Sequence, residues 1–190
     1  MRAAIYKKPA AHCFEHPEEM TEINEMVKNW WVEADKVKDQ QRDRKGTTKV
    51  GVIKGICISE KRGTAKHEIE EAVFVKDWGI EKDAHAGHWH RQVSLLSYEK
   101  IEEFRKKGAQ IGLGAFGENL IVEGYDFRNL PVGTRFQCGD VILEMTQIGK
   151  ECHSHCEIYK RMGECIMPRE GVFAVVIQGG KIKKATFLKR

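Results

Sequence analysis

The sequence predicts a mainly β protein, a closed or nearly closed β-barrel with short peripheral helices, preceded by an N-terminal amphipathic helix. From Val50 onward, short runs of β-branched and aromatic residues are interrupted by glycines. Two of these runs contain the central turn residues that are typical of a β-hairpin. Only two short stretches between them have the three- and four-residue spacing of apolar side chains that indicates a helix. Few helices and many short strands favour a barrel over a layered α/β fold.

Residues 18–38 have the pattern of one amphipathic helix, with apolar side chains recurring on one face. These side chains are Ile23, Met26, Val27, Trp30, Trp31, Ala34 and Val37. Two adjacent tryptophans are unfavourable in water, so we expect this face to be buried. It would pack either on the main domain or on a second copy of the chain in a homodimer. The polar stretch KDQQRDRKGTTK follows and is typical of a linker. We therefore divide the chain into an N-terminal extension, residues 1–48, and a barrel domain, residues 49–190.

The predicted strands follow one another along the barrel domain. They are KVGVIKGICIS, EEAVFVKDWGI, HRQVSLLS and GENLIVEG. Two hairpins complete the set: TRFQCGDVILEMTQIG, with its turn at residues 138–140, and GVFAVVIQGGKIKKAT, with its turn at residues 179–180. One predicted helix is SYEKIEEFRKKG, which Ser97 can cap and Gly108 can end. The other is SHCEIYKRMG, which ends at Gly163.

Composition and charge limit the function classes. The net charge is +4, from 32 basic and 28 acidic residues, which is too small an excess to favour nucleic-acid binding. It suits a pocket for a small anionic molecule. No apolar run approaches the roughly 18 residues of a membrane span, and the N-terminus lacks the apolar core of a secretory signal. We therefore expect a cytoplasmic protein without membrane contact, in which the six cysteines are reduced.

The stretch DAHAGHWHRQ concentrates polar side chains just before a predicted strand. It contains Asp83, His85, His88, His90 and Arg91. The three histidines run through a glycine-containing loop, so the spacing does not favour their convergence on one metal ion. An arginine offers two parallel donors to a phosphate. The stretch therefore predicts the polar wall of an anion pocket, and the alternative is a solvated loop leading into the strand.

Two further stretches suggest ligand contacts. In GLGAFGENL, glycines including Gly117 allow backbone amides to approach a ligand, and Glu118 and Asn119 could fix the ends of a polar ligand. The spacing differs from the dinucleotide fingerprint and has no strand-to-helix context, so NAD is not expected. In MPREGVF, Arg169 is a second candidate anion clamp. For GLGAFGENL the alternative is a tight turn capped by asparagine. For MPREGVF the alternative is a turn that leads into the last long strand.

The stretch GKECHSHCEIYKRMGEC contains three cysteines, Cys152, Cys156 and Cys165. It lacks the paired C-x2-C units of structural zinc sites, although three cysteines and a histidine could still hold zinc. A disulfide between Cys152 and Cys156 is geometrically feasible and would be redox-labile. Cys152 follows a predicted strand and opens a helical segment, where exposed amides, Lys150 and the histidines lower a thiol pKa. This favours a reactive thiolate that suits a soft metal or a persulfide, with Cys156 as its resolving partner.

Four segments in this order resemble a known family: DAHAGHWHRQVSLLS, GAFGENL, VGTRFQCGDVILEMTQIGKECHSHC and GECIMPREGVFAVVIQGGKIKK. Together they resemble the small bacterial members of the MOSC domain family, the domain found at the C-terminus of molybdenum cofactor sulfurases. The resemblance covers roughly residues 50–184 and leaves residues 1–48 outside it. It implies a β-barrel decorated with short helices, in agreement with the strand pattern.

The resemblance implies that a cysteine near the end of the barrel carries sulfur as a persulfide or binds the molybdenum of a molybdopterin cofactor. By position Cys152 is the best match and the implied metal ligand. Cys156 is the second, and Cys165, in the pattern G-x-C-x-M-P, is the third. The implied ligand is an anionic pterin phosphate, and the implied partner is a sulfur-donor or electron-donor protein. The chain has no pyridoxal-phosphate sulfurase domain, so its sulfur chemistry would be independent of pyridoxal phosphate.

Three functional hypotheses remain, and whether the protein is an enzyme stays open. The favoured one is a molybdenum-cofactor-related protein that binds the cofactor or transfers sulfur. In it Arg91, Arg169, His85 and the amides of residues 112–117 hold the pterin phosphate. The second is a molybdenum-dependent reductase of N-hydroxylated compounds, which needs an external electron donor because the chain shows no flavin or iron–sulfur motif. The third is a zinc-stabilised binding module without catalysis.

Overall fold

The computed structural model describes residues 49–151 and 157–190, which belong to the compact unit Thr48–Arg190. The strands in these ranges are β1 (Val50–Ile58), β2 (His67–Ile69), β3 (Glu71–Val75), β4 (Gly79–Ile80), β5 (Val93–Ser97), β6 (Leu120–Glu123), β7 (Arg135–Cys138), β8 (Val141–Ile148), β9 (Val172–Gln178), β10 (Gly180–Lys183) and β11 (Phe187–Lys189). The helices are α1 (Tyr98–Lys106), α2 (Glu157–Met162) and α3 (Met167–Glu170). The amphipathic helix predicted at residues 18–38 lies outside the described residues, as do Cys152 and Cys156.

Seven strands close into a barrel, which confirms the predicted fold class. The strand order is β11-β7-β8-β9-β5-β6-β1, and β1 pairs with β11 to complete the ring. β2 pairs with the later part of β1, on the same edge as β11 and opposite β6. Strands β5 and β6 are parallel, whereas the remaining barrel neighbours are antiparallel. A parallel pair needs a long crossover connection, and this connection contains α1 and the glycine-rich stretch GLGAFGENL.

Apolar side chains fill the barrel and the space between its wall and the helices. Inside the barrel, Tyr125, Phe127 and Phe136 pack with ring centroids 5.5–5.6 Å apart, distances typical of favourable aromatic pairs. A second cluster joins Ile101 and Phe104 of α1 to the outer wall. All five residues of β5 are buried, since α1 covers one face and the barrel core the other. This double burial explains why consecutive residues on opposite faces, Leu95 and Leu96, are both apolar.

The hairpin predicted at residues 138–140 is confirmed, because Cys138 of β7 pairs with Val141 of β8. The hairpin predicted at residues 179–180 is wrong. β9 stays in the barrel between β8 and β5, and β10 pairs instead with β3 in a separate sheet of order β10-β3-β4. Gly179 permits the crossing between the two sheets, since a Cβ atom there would lie 2.6 Å from the carbonyl oxygen of Phe74. The stretch EEAVFVKDWGI also forms two short strands, β3 and β4, where one was predicted.

Helix α1 matches its prediction in extent, but its cap differs. Ser97 makes no side-chain cap to a backbone amide and its hydroxyl donates to Glu99 at 2.7 Å. Gly108 follows the helix with φ +96°, and Gly163 follows α2 with φ +72°, as expected for glycines after a helix end. None of the helices in the described part of the chain is long and apolar enough to cross a membrane.

Candidate functional site

One end of the barrel, which we call the mouth, gathers several of the stretches that the sequence singled out. The register pairs there are Val93 with Ala174 and Ile148 with Val172. They bring the loop before β5 next to the end of β8 and the start of β9. The His90 ring lies 2.9 Å from the side-chain oxygen of Gln147, and the amide of Gly149 donates to the carbonyl of Gly171 at 2.7 Å. Residues 83–92, 146–151 and 167–173 therefore meet at the mouth.

Arg91 is held in place by aromatic rings. Its guanidinium carbon lies 4.8 Å from the ring centroid of Trp89 and 5.6 Å from that of Phe173. Its Nε atom is buried and has no hydrogen-bond partner within the ranges that the structure describes. A buried donor without an acceptor is costly, whereas stacking on rings limits the rotation of the side chain. Arg91 is therefore a cation whose orientation the two rings restrict and whose buried Nε–H lacks an acceptor among the described residues.

His85 lies in the same loop and also has an unsatisfied atom. Its Nδ1 is buried without a hydrogen-bond partner among the described residues, and it lies 4.0 Å from Oδ2 of Asp83. The indole of Trp89 donates to the His85 carbonyl at 3.0 Å, which ties the backbone of His85 to the residue that stacks on Arg91. The ring remains partly exposed, so it can contact a ligand that enters from solvent.

Positive charge surrounds His85. Burial lowers the pKa of its imidazole, and the charge of Lys66 lowers that pKa further. Asp83 opposes the shift, whereas Arg62 and Lys150 add to it. An anion bound beside His85 would offset the positive charges of Lys66, Arg62 and Lys150. The surroundings of His85 therefore suit an anion.

The three histidines of this loop have separate partners. The His88 ring packs edge-on against Trp78 at 5.0 Å, His90 contacts Gln147, and His85 lies beside Asp83. Across residues 49–151 and 157–190, no three His, Cys, Asp or Glu side chains are grouped so as to hold a metal ion. The three histidine rings therefore contact different neighbours.

Asp83 faces the interior. Its carboxylate accepts hydrogen bonds from Lys66 Nζ at 2.8 and 2.9 Å, from the Ser59 amide at 2.9 Å and from Asn119 Nδ2 at 3.2 Å. Burial alone would raise the pKa of Asp83, but the hydrogen bonds and charge of Lys66, with the other two donors, hold that pKa below its ordinary value. Both carboxylate oxygens are therefore satisfied by the chain itself. Lys66 was missed in the sequence, where it is one of several charged residues before β2.

Asn119 joins this buried network from the start of β6. Its side-chain oxygen accepts from the amide of Ser94 at 3.1 Å and from the Ser94 hydroxyl at 2.9 Å. Its Nδ2 also donates to the carbonyl of Cys57 at 2.9 Å, and the Ser94 hydroxyl lies 3.0 Å from the carbonyl of Gly117. Asn119 and Ser94 thus link β1, β5 and the glycine-rich turn.

Glu118 closes the glycine-rich turn on itself. Its carboxylate accepts from the amides of Gly114 at 2.8 Å and Phe116 at 2.9 Å. The side chain is fully buried, and burial raises its pKa to about 7. The turn is therefore capped by Glu118, not by asparagine, and two of the amides that were expected to reach a ligand are already engaged.

Two other predicted residues lie apart from these contacts. Arg169 is exposed and pairs with Glu164 at 3.3 Å, so its guanidinium is directed to a surface ion pair. Cys165 is a half-buried thiol packed against the cluster around α1. Cys57 and Cys138 are buried in the core, and burial, with the nearby Glu118 charge in the case of Cys57, raises the pKa of each thiol to about 12. Neither is a reactive thiolate near neutral pH.

The protein is a closed seven-stranded barrel, and the loop at its mouth carries the guanidinium of Arg91 and the imidazole of His85. Comparison with known families places the chain: residues 82–185 match the model of the MOSC domain, which is more than half of the chain. The chain belongs to the MOSC domain family, which is associated with the molybdenum cofactor. The matched segment includes the whole mouth, whereas Ser59 and Lys66 precede it.

Solved structures show the same fold. The YuaD protein from Bacillus subtilis is 18% identical, with a TM-score of 0.64 over 75% of this chain and 96% of that chain. YiiM from Geobacillus stearothermophilus is 16% identical, with a TM-score of 0.56 over 74% and 75% of the two chains. YiiM from Escherichia coli is 20% identical, with a TM-score of 0.50 over 75% and 68%. A search of curated proteins found no match. Identities this low establish the fold alone.

Proposed function

We propose that this protein binds an anionic ligand of the molybdopterin type at the barrel mouth and that the thiolate of Cys152 carries sulfur or binds molybdenum there. Arg91, His85 and Lys150 receive the anionic part of the ligand. The observation that carries the proposal is the buried, unpartnered Nε of Arg91 between two aromatic rings. A planar guanidinium held in this way suits the oxygens of a phosphate.

The charges at the mouth support an anion over a neutral ligand. Lys66 is neutralised by its buried pair with Asp83, so it adds little net charge. Arg91 has no carboxylate partner within the described ranges. Lys150 is close enough to lower the pKa of His85, and Arg62 lies at the same loop, where its Nε donates to the carbonyl of Ala84 at 3.0 Å. Lys150 and Arg62 therefore add positive charge near His85, in the loop that also carries Arg91.

The position of Cys152 along the chain supports its role. It comes two residues after Lys150, so their Cα atoms are at most about 7 Å apart. A neighbouring ammonium lowers a thiol pKa and increases the thiolate fraction. Cys57 and Cys138 lack this reactivity, since their thiols are buried and their pKa values are raised to about 12. Cys156 and Cys165 remain the second and third candidates.

The residues at the mouth fit the molybdenum cofactor through its phosphate. When bound, the cofactor would supply a metal centre able to exchange electrons or sulfur, chemistry that the side chains of this protein lack. The chain itself would bind the phosphate through Arg91 and present a thiolate. A sulfur-donor or electron-donor protein would act as the partner, and the reductase hypothesis requires the latter.

Mass spectrometry and metal analysis of protein from a molybdenum-competent host test this function. We expect the wild type to carry molybdenum and pterin, or one additional sulfur atom, and Cys152→Ser to lose them. Cys13→Ser is the matched control, since Cys13 precedes the matched segment, and it should keep the wild-type content. A wild type without molybdenum, pterin or added sulfur would overturn the proposal, as would equal content in Cys152→Ser. Stoichiometric zinc with unfolding in a chelator would instead support the zinc-stabilised module.

A further inference from the structure

A buried ion pair lies directly behind His85. Lys66 Nζ is 2.8 Å from Oδ2 of Asp83, and the two side chains are 2% and 0% exposed. Oδ2 of Asp83 is in turn 4.0 Å from Nδ1 of His85. Neither charged side chain is open to solvent, so neither can receive a ligand in this conformation.

The pair fixes the backbone of the loop that leads to His85. Asp83 accepts from the amide of Ser59 at 2.9 Å, and the amide of Ala84 donates to the carbonyl of Ser59 at 2.7 Å. Both the amide and the carbonyl of Ser59, which follows β1, are thus bonded to the loop. Asn119, the residue before β6, adds a third attachment to Asp83.

Stability alone gives little reason for an ion pair at this place. Two buried charges lose their hydration, and replacing such a pair by apolar residues is often neutral or stabilising. What an apolar pair cannot supply is a directional set of hydrogen bonds to three segments. The pair is also electrically neutral as a unit, so it adds no net charge behind an anion site.

We infer that Lys66, Asp83 and Asn119 are positioning residues that hold the loop carrying His85 and Arg91 in the geometry that receives the anionic ligand. This inference rests on the proposed function. It also changes the interpretation of Asp83 and Asn119, which the sequence marked as ligand contacts. Lys66 lies outside the segment that matches the family model, so it is a positioning residue that family membership does not indicate.

The sign of the effect in Asp83→Asn distinguishes positioning from simple electrostatics. Removing a negative charge from behind an anion site strengthens anion binding if the loop keeps its place. A positioning role predicts the opposite, at least about tenfold weaker binding of inorganic phosphate, because the loop loses its attachment. Unchanged or tighter phosphate binding by Asp83→Asn would overturn the inference.

A second variant avoids an unpaired buried charge. Lys66→Met combined with Asp83→Asn keeps the net charge of the wild type and leaves no buried ion alone. We expect this double variant to fold and still bind phosphate at least about tenfold more weakly. Lys181→Met is the control, because Lys181 forms an exposed pair with Glu71 at 2.8 Å, and it should bind phosphate like the wild type. Wild-type affinity in the double variant would contradict the inference.

Hydrogen exchange at the amide of Ala84 provides a readout that needs no ligand. Exchange should become faster in both Asp83 variants and stay unchanged in Lys181→Met, while the amides of the barrel strands keep their protection. If the wild type fails to bind phosphate, the proposed function loses support and this exchange experiment still decides whether Asp83 positions the loop. Unchanged exchange at Ala84 in both variants would contradict the positioning role.

Discussion

The amide of Gly149 donates a hydrogen bond of 2.7 Å to the carbonyl of Gly171, which joins the end of β8 to the start of β9 at the mouth. Gly149 has φ +66°, and a Cβ atom there would lie 2.1 Å from the carbonyl oxygen of Pro168. The segment that leads to Cys152 is therefore anchored by two backbone stretches in close contact. Only a glycine satisfies both the left-handed conformation and the close approach.

Gly149→Ala should lower the free energy of unfolding by about 3 kcal/mol, since it combines left-handed strain with a backbone clash. Gly139→Ala is the matched control. Gly139 has φ +59° and no other atoms within 4 Å of an added Cβ, so only the strain of about 1 kcal/mol applies. Urea unfolding of the two variants measures the difference. Equal losses would show that the chain before Cys152 is not packed against Pro168.

Glu118 should give the protein a characteristic dependence of stability on pH. Burial raises its pKa from 4.5 to about 7, so the folded protein binds this proton more tightly than the unfolded chain does. The resulting stability is complete below pH 4.5 and is lost as the pH rises to about 7. The shift corresponds to about 3 kcal/mol.

The variant Glu118→Gln removes this titration. We expect the free-energy difference between wild type and Glu118→Gln to change by about 3 kcal/mol between pH 4.5 and pH 8, with the wild type losing stability at the higher pH. Other titrating groups are common to both proteins and cancel. A difference that is constant with pH would refute the raised pKa.

Two asparagine–aspartate hydrogen bonds, one buried and one exposed, allow a test of whether Asp83 is enclosed. Asn119 Nδ2 is 3.2 Å from buried Asp83, and Asn129 Nδ2 is 2.8 Å from Asp126 at the surface. Asn119→Asp removes the donor and places two carboxylates together out of solvent, so we expect a loss of about 4 kcal/mol. Asn129→Asp should cost at most about 1 kcal/mol. Similar losses by thermal unfolding would mean that Asp83 is not enclosed as described.

Anion binding at the mouth should raise the pKa of His85. Burial and the charge of Lys66 lower this pKa in the free protein, and a bound phosphate offsets the positive field. NMR titration of the imidazole in phosphate, compared with chloride at the same ionic strength, measures the effect. Identical titration curves in the two salts would place phosphate away from His85.

Much of the barrel could be predicted from the sequence because local patterns determine it. Glycine and aspartate at residues 139–140 specify the turn between β7 and β8 without reference to distant segments. At Gly179 the same kind of signal indicated a turn, but turn residues do not determine which strand the chain pairs with next. Phe74 and the edge of β3, more than a hundred residues earlier, receive β10.

The candidate site was predictable in its residue types and less so in its roles. Arg91 and His85 were identified from a concentration of polar groups before a strand, and both have unsatisfied buried atoms at the mouth. Asp83 and Asn119 were expected to touch a ligand, yet Asp83 accepts hydrogen bonds from both Asn119 and Lys66. That network joins residues 17 and 36 positions apart, which no local pattern in a single sequence reveals.

Binding of isolated molybdopterin by the protein freed of bound ligand tests the central claim most directly. Arg91→Lys keeps the charge but loses the planar fork and the stacking on Trp89, so we expect at least about tenfold weaker binding, or about 1.4 kcal/mol. Arg128→Lys is the control, since Arg128 is exposed and pairs with Glu170 at 3.3 Å, and it should bind like the wild type. Equal affinity of the three proteins, or no binding by the wild type, would contradict an anion site at Arg91.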